Sequence, residues 1–176
     1  MNITLLASGS SRLQINDFKG DIPWSHLVAY REFLMRHITG QTVLIGGRTF
    51  QMPFFQELLK EVLPQTIVLN TKNSLPAFQI RGMYQAILYA QASRAKRLIV
   101  LGGERVFSES IAHADEVDYM QLDIDPRGES DFPTILHQDF HRVSLEPSRE
   151  DCDGKIYRFE FQKYLRKKSC PKLNIP

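Results

Sequence analysis

The sequence predicts an α/β domain on a mostly parallel sheet, and two patterns carry that prediction. Continuously apolar runs such as Val43-Leu44-Ile45 and Leu98-Ile99-Val100-Leu101 read as strands buried on both faces. Between such runs lie segments of helical period joined by short connections, the alternation of a sheet wound through right-handed crossovers.

In chain order, the strand-like runs are residues 2–8, 41–47, 65–70, 97–103, 116–124 and 155–164. The last differs from the others because it alternates, with Tyr157, Phe159 and Phe161 on one side and Arg158 and Glu160 on the other. That alternation suits an antiparallel edge or hairpin strand. Ser25 is the expected N-cap of a helix over residues 26–37, with Leu27, Tyr30, Phe33 and Leu34 on one core-facing side. Pro53 opens a second helix, 53–63, that stops before Pro64, and residues 83–93 and 104–114 make two more.

A chain of 176 residues, 43% apolar and 24% charged, has the size and composition of one soluble globular domain. No run of 18 apolar residues offers a membrane span, and the N-terminal apolar stretch is too short for a secretory signal. Cys152 and Cys170 lie outside any metal-ligand spacing, so free thiols in the cytoplasm are expected and no metal. A net charge of +2 does not point to nucleic acid, and the basic cluster near the C-terminus reads as a solvated tail. The expected organisation is a single domain over 1–164 with a basic tail over 165–176, acting as a monomer on a small molecule.

Three predicted strands end in residues that suit a phosphate. Residues 99–107, IVLGGERVF, run from a buried strand through Gly102-Gly103 into a helix. At that place free backbone N–H groups and the helix dipole favour an anion, and glycine lets a diphosphate approach the backbone. Residues 42–50, TVLIGGRTF, repeat the arrangement with Gly46-Gly47, Arg48 and Thr49, and a third strand ends in Asn70, Thr71 and Lys72. Each alone reads as a tight turn or ordinary polar surface. Together with Arg105 they read as a nucleotide site with an extra phosphate. Neither GxGxxG nor GxxxxGK[ST] is present, which sets aside the usual dinucleotide fingerprint and the P-loop.

These segments resemble dihydrofolate reductase. ITLLAS, the Ile22-Pro23-Trp24 corner, VLIGGRTF, IVLGGERVF, the late GESDFP and the closing YRFEF match that family in order across nearly the whole chain. The resemblance implies a central, mostly parallel eight-stranded sheet flanked by helices, a cis Gly102–Gly103 peptide, and NADPH across the carboxyl ends of the strands. It places Gly102, Gly103, Glu104, Arg105 and Val106 at the pyrophosphate, and Gly46, Arg48 and Thr49 in the second turn. The family's usual arginine position is Gly47, so Arg48, helped by Thr71, Lys72 and Arg105, is expected to take the 2′-phosphate. Ala7 and Ile15 fall where backbone would hold the nicotinamide carboxamide, and residues 8–21, SGSSRLQINDFKGD, resemble the loop that closes over it.

The substrate half departs from the family. Its acid, four residues before the helix phenylalanine Phe33, is Ala29; its supporting threonine is Met120; its tail-binding arginine is Pro64; and its tyrosine near the nicotinamide is Phe107. Leu101 belongs to the same implied pocket. The expected catalytic residues are Trp24 and Glu32, the latter as a relocated acid reaching back through a water, against a reading as a solvated carboxylate paired with Arg31 or Arg36. His26 is a further proton source, weighed against a reading as a first-turn surface residue, and Asp21 reads as a turn residue of the loop. The implied activity is NADPH-dependent hydride transfer to a pterin C=N bond, dihydrofolate to tetrahydrofolate. The alternatives are another heterocyclic substrate without a glutamate tail, or a non-catalytic binding homologue.

Overall fold

The structure, a computed structural model, describes residues 1–70, 75, 77–134 and 136–173. Its elements are β1 (Asn2–Ser10), α1 (Val28–Ile38), β2 (Thr42–Gly46), α2 (Gly47–Phe50), α3 (Pro53–Val62), β3 (Gln65–Leu69), β4 (Gln79–Ile80), α4 (Met83–Ala92), β5 (Arg97–Val100), α5 (Glu104–Ser110), β6 (Glu116–Leu122), α6 (Leu136–Asp139), β7 (Phe140–Cys152) and β8 (Lys155–Arg166). They form an eight-stranded sheet in the order β4-β3-β2-β5-β1-β6-β8-β7. From β4 to β6 all neighbours are parallel; β8 pairs antiparallel with both β6 and β7.

The continuous apolar runs arise because each strand serves two cores. Leu44, Ile67, Leu98 and Val100 pack on one face with Met83, Ala86 and Ile87 of α4 and Val106 and Phe107 of α5. Val43, Ile45, Val68 and Ile99 pack on the other with Phe33, Leu34 and Ile38 of α1 and Phe55, Leu58 and Leu59 of α3. Period 2 directs alternate side chains to opposite faces, and both faces are covered. Tyr157, Phe159 and Phe161 join the α1–α3 core as the alternation in β8 predicts. No helix among the described residues is long and apolar enough to cross a membrane.

Two strands lie outside the sequence reading. β4 is two residues long, too short for any period to register. β7 carries Pro147 and is mostly exposed, as an edge strand tolerates, and its pairing with β8 slips between Arg142 and Ser144. The expected helix over 104–114 divides into α5 and a 3₁₀ turn, Ile111–His113; Ser110 Oγ donates to the Val106 carbonyl at 2.6 Å just before the change.

Ser25 does not cap α1. The N-cap is Leu27, without a side-chain bond of its own, and the Ser25 N–H donates to the Ile22 carbonyl. The first turn is capped from across the molecule: the Glu150 carboxylate of β7 accepts from Val28 N–H at 2.9 Å and Ala29 N–H at 2.8 Å. A carboxylate there satisfies two orphan donors and faces the positive end of the helix dipole.

The basic C-terminal segment is fastened down over its described part. Arg166 lies over the Phe140 ring at 4.5 Å and donates to the Ala114 carbonyl, Lys172 pairs with Asp115 at 2.7 Å, and Leu173 N–H donates to Ala112. The expectation of a solvated tail misses these inward contacts.

Candidate active site

A cleft of about 540 Å³ opens at the carboxyl ends of β1, β2, β3 and β5. Chain order explains its place. The connection from β1 to β2 skips a position that β5 later fills, so neighbouring strands send their chains in different directions above the sheet. Leu6, Ala7 and Ser8 of β1, Gly46 of β2, Leu69 and Asn70 at the end of β3, and Leu101 and Gly103 after β5 converge there.

The two glycine turns pack against each other. Gly46 N–H donates to the Gly102 carbonyl at 2.6 Å, and a Cβ on Gly46 would lie 3.0 Å from Val106 and 3.1 Å from that oxygen. Gly102 has φ +97°, and a Cβ there would lie 2.4 Å from the Phe107 ring, so both backbone angle and space require glycine. The Gly102–Gly103 peptide is cis. Arg48 in α2 and Arg105 in α5 are exposed beside these turns, with Arg105 paired to Glu109 at 2.7 Å, and Thr49 is buried between them. Among the described residues lining the cleft, these two arginines are the only cations.

The segment from Leu13 to Gly20 closes one side. Ile15 N–H donates to the Ser130 carbonyl at 3.0 Å, Phe132 N–H to Leu13 at 2.7 Å, and the Asn16 side chain accepts from Ser130 N–H at 3.1 Å. The GESDFP segment thus serves as the platform on which this loop rests.

The other end of the cleft is apolar, with Ile22, Met52, Phe55 and Leu101, and it holds a buried hydroxyl pair. Trp24, fully buried, donates from Nε1 to Ser8 Oγ at 2.8 Å. Ser8 also hydrogen-bonds Tyr30, which is 3% exposed yet lines the cleft. Burial pushes the Tyr30 hydroxyl up to about 12, an effect that the Ser8 bond only partly offsets.

Of the residues singled out in the sequence, Ala7, Ile15, Gly46, Arg48, Thr49, Leu101, Gly103, Glu104, Arg105, Val106 and Phe107 line the cleft. Thr71 and Lys72 lie outside the described residues. Trp24 stands behind Ser8, and Gly102 supports Gly46 from beneath. The α1 residues fall differently from expectation. Phe33 packs on Phe161 with centroids 5.3 Å apart, Ala29 packs beside the same core, and Met120 is buried in it. None of these three lines the cleft. Glu32 is exposed. At about 100° per residue it projects about 200° around the helix from Tyr30, so it faces away from the cleft. Pro64 lies between α3 and β3, also away from it. The sequence reading placed Tyr30 in the core and did not single out Ser8; the Trp24 indole N–H, which needs a partner once buried, was the available signal.

A mostly parallel sheet with a glycine-lined cleft across its strand ends, beside an apolar pocket, defines an α/β protein with its cleft at a topological switch point. The family model for dihydrofolate reductase matches residues 3–166, and the chain belongs to that family of oxidoreductases. It is 26% identical over 166 residues to the dihydrofolate reductase of Buchnera aphidicola, covering 92% of this chain and 98% of the relative. It is 24% identical over 170 residues to that of Neisseria meningitidis serogroup B, covering 94% and 99%. Among solved structures, dihydrofolate reductase from Enterococcus faecalis complexed with NADP(H) and RAB-propyl superposes with a TM-score of 0.75 at 21% identity, covering 94% of this chain and 96% of that one.

Proposed function

We propose that the protein is an NADPH-dependent reductase of a pterin C=N bond, with dihydrofolate as its reference substrate. The observation that carries this reading is the paired glycine turn, where Gly46 and Gly103, packed too closely to take a side chain easily, line the cleft beside Arg48 and Arg105. The residues present fit the cofactor: backbone at the start of a helix suits a diphosphate, and the two guanidinium groups suit a further phosphate. NADPH would supply the hydride, while the chain binds, orients and excludes water. Ala7, Ile15, Asn16 and Phe107, which line the cleft, would border the nicotinamide, and Met52, Phe55 and Leu101 would enclose the heterocycle.

The relative in complex with NADP(H) supports the choice of cofactor by analogy. In a titration, NADPH should bind at least about tenfold more tightly than NADH, the scale of a charge-assisted phosphate contact, and Arg48→Ala should erase most of the difference. Equal affinities for the two cofactors would overturn the assignment.

A second reading, a pterin without a glutamate tail, draws on the cation distribution. Both lining cations sit beside the glycine turns, and none of the described lining residues at the apolar end could pair with a tail carboxylate. Near α1 and α3, Arg31 is already paired with Glu61.

A further inference from the structure

The family resemblance places a carboxylate on the first helix; the cleft face of α1 instead carries a phenol, bonded to a serine that the Trp24 indole already engages. An indole N–H can only donate, so Ser8 Oγ accepts from Trp24 at 2.8 Å. Ser8 and Tyr30 share one hydrogen bond, which uses one of their two protons. The other is left for the cleft that both residues line. Since burial pushes the Tyr30 hydroxyl up to about 12, the phenol stays protonated throughout the neutral range.

We propose that Tyr30 is the substrate-contacting residue of α1, donating a hydrogen bond from Oη to an acceptor atom of the heterocycle, with Ser8 and Trp24 as its positioning residues. The proposal deepens the reductase reading and rests on it. A carboxylate at this place would select a substrate edge of N–H donors or a cation. A neutral hydroxyl pair with one proton left to offer selects a ring nitrogen or a carbonyl oxygen. Donation to such an atom polarises the conjugated ring in an enclosed site, where a hydrogen bond counts for more than in water. The same geometry gives a protonated heterocycle no ion pair, so the site discriminates by hydrogen-bond direction rather than by charge.

The test uses Tyr30→Phe, which keeps the ring and its packing. Trp24 is the only tryptophan in the chain, so its fluorescence reads binding of NADPH and of dihydrofolate separately. Loss of one buried hydrogen bond should weaken dihydrofolate binding and kcat/KM by about 10- to 100-fold. NADPH affinity should stay at its parental value. Ser8→Ala should lower kcat/KM by a smaller factor, and Ser8→Thr, which restores the hydroxyl, should recover it. Unchanged dihydrofolate binding in Tyr30→Phe overturns the proposal. So does a parallel loss of NADPH affinity, which would assign Tyr30 to the shape of the whole cleft, or a loss confined to Glu32→Gln. If the parent binds dihydrofolate without oxidising NADPH, the reductase reading fails while the binding arm still decides the role of Tyr30. If the parent binds no dihydrofolate at all, both fail.

Discussion

Tyr30 and Tyr119 show how burial sets the chemistry of single residues here. Both hydroxyls are pushed upward, Tyr30 to about 12 and Tyr119 further, and desolvation is the larger cause in each. Tyr119 donates to the Ser10 carbonyl at 3.2 Å, and its ring meets Phe132 edge-on with centroids 5.7 Å apart. A group whose folded pKa lies above its unfolded value contributes stability below the unfolded value and loses it as pH rises through the folded one. Resistance to urea should therefore hold to about pH 10 and fall between about pH 10 and 12, with Tyr30→Phe flattening part of that fall. A urea midpoint independent of pH across that window would contradict the assignment. The glycines were legible as single residues because a GG pair after an apolar run makes a tight turn or admits a ligand to the backbone, and both need glycine. Tyr30 was not, because its helical spacing with Phe33 and Leu34 is also that of a core residue. Only its position over the open end of the sheet separates the two roles.

At the scale of elements, α1 shows what local sequence cannot carry. Its hydrophobic face was readable, but its cap comes from Glu150, 122 residues away from Val28. The β7–β8 hairpin brings that carboxylate to the helix, and Tyr157 of the same hairpin meets His26 edge-on at 5.3 Å. Glu150→Ala should destabilise the fold by about 1–2 kcal/mol, the usual effect of losing a helix cap. Urea unfolding would measure it. Because Tyr30 sits in the first turn of α1, the same variant should raise KM for the pterin while leaving NADPH affinity unchanged. A substitution without effect on either quantity would show that backbone and water satisfy the helix end equally well. The strands followed the same division. Interior strands were legible from apolar runs, whereas β4 was too short and β7 too exposed and polar to leave a period.

At the scale of the whole molecule, the sheet order and both covered faces follow from residue patterns that repeat along the chain. The cleft follows from topology, because β5 enters between β1 and β2 and leaves the glycine turns side by side. The resemblance identified the family, and the family match over residues 3–166 agrees with it. The substrate end was legible only in outline. Counting from Phe33 arrives at Ala29, while the folded helix turns Tyr30 toward the cleft. A one-residue difference of that kind rotates a helix position by about 100°, enough to exchange core for site. The apolar end is then a neutral pocket built on Ser8, Trp24 and Tyr30 rather than an acidic pocket that has lost its acid. The most direct measurement of the central claim is steady-state oxidation of NADPH by the purified protein with dihydrofolate, followed by a tail-free dihydropterin. The account predicts pterin-dependent oxidation with NADPH at least about tenfold preferred over NADH in kcat/KM. Bound NADPH that no dihydropterin oxidises would contradict it.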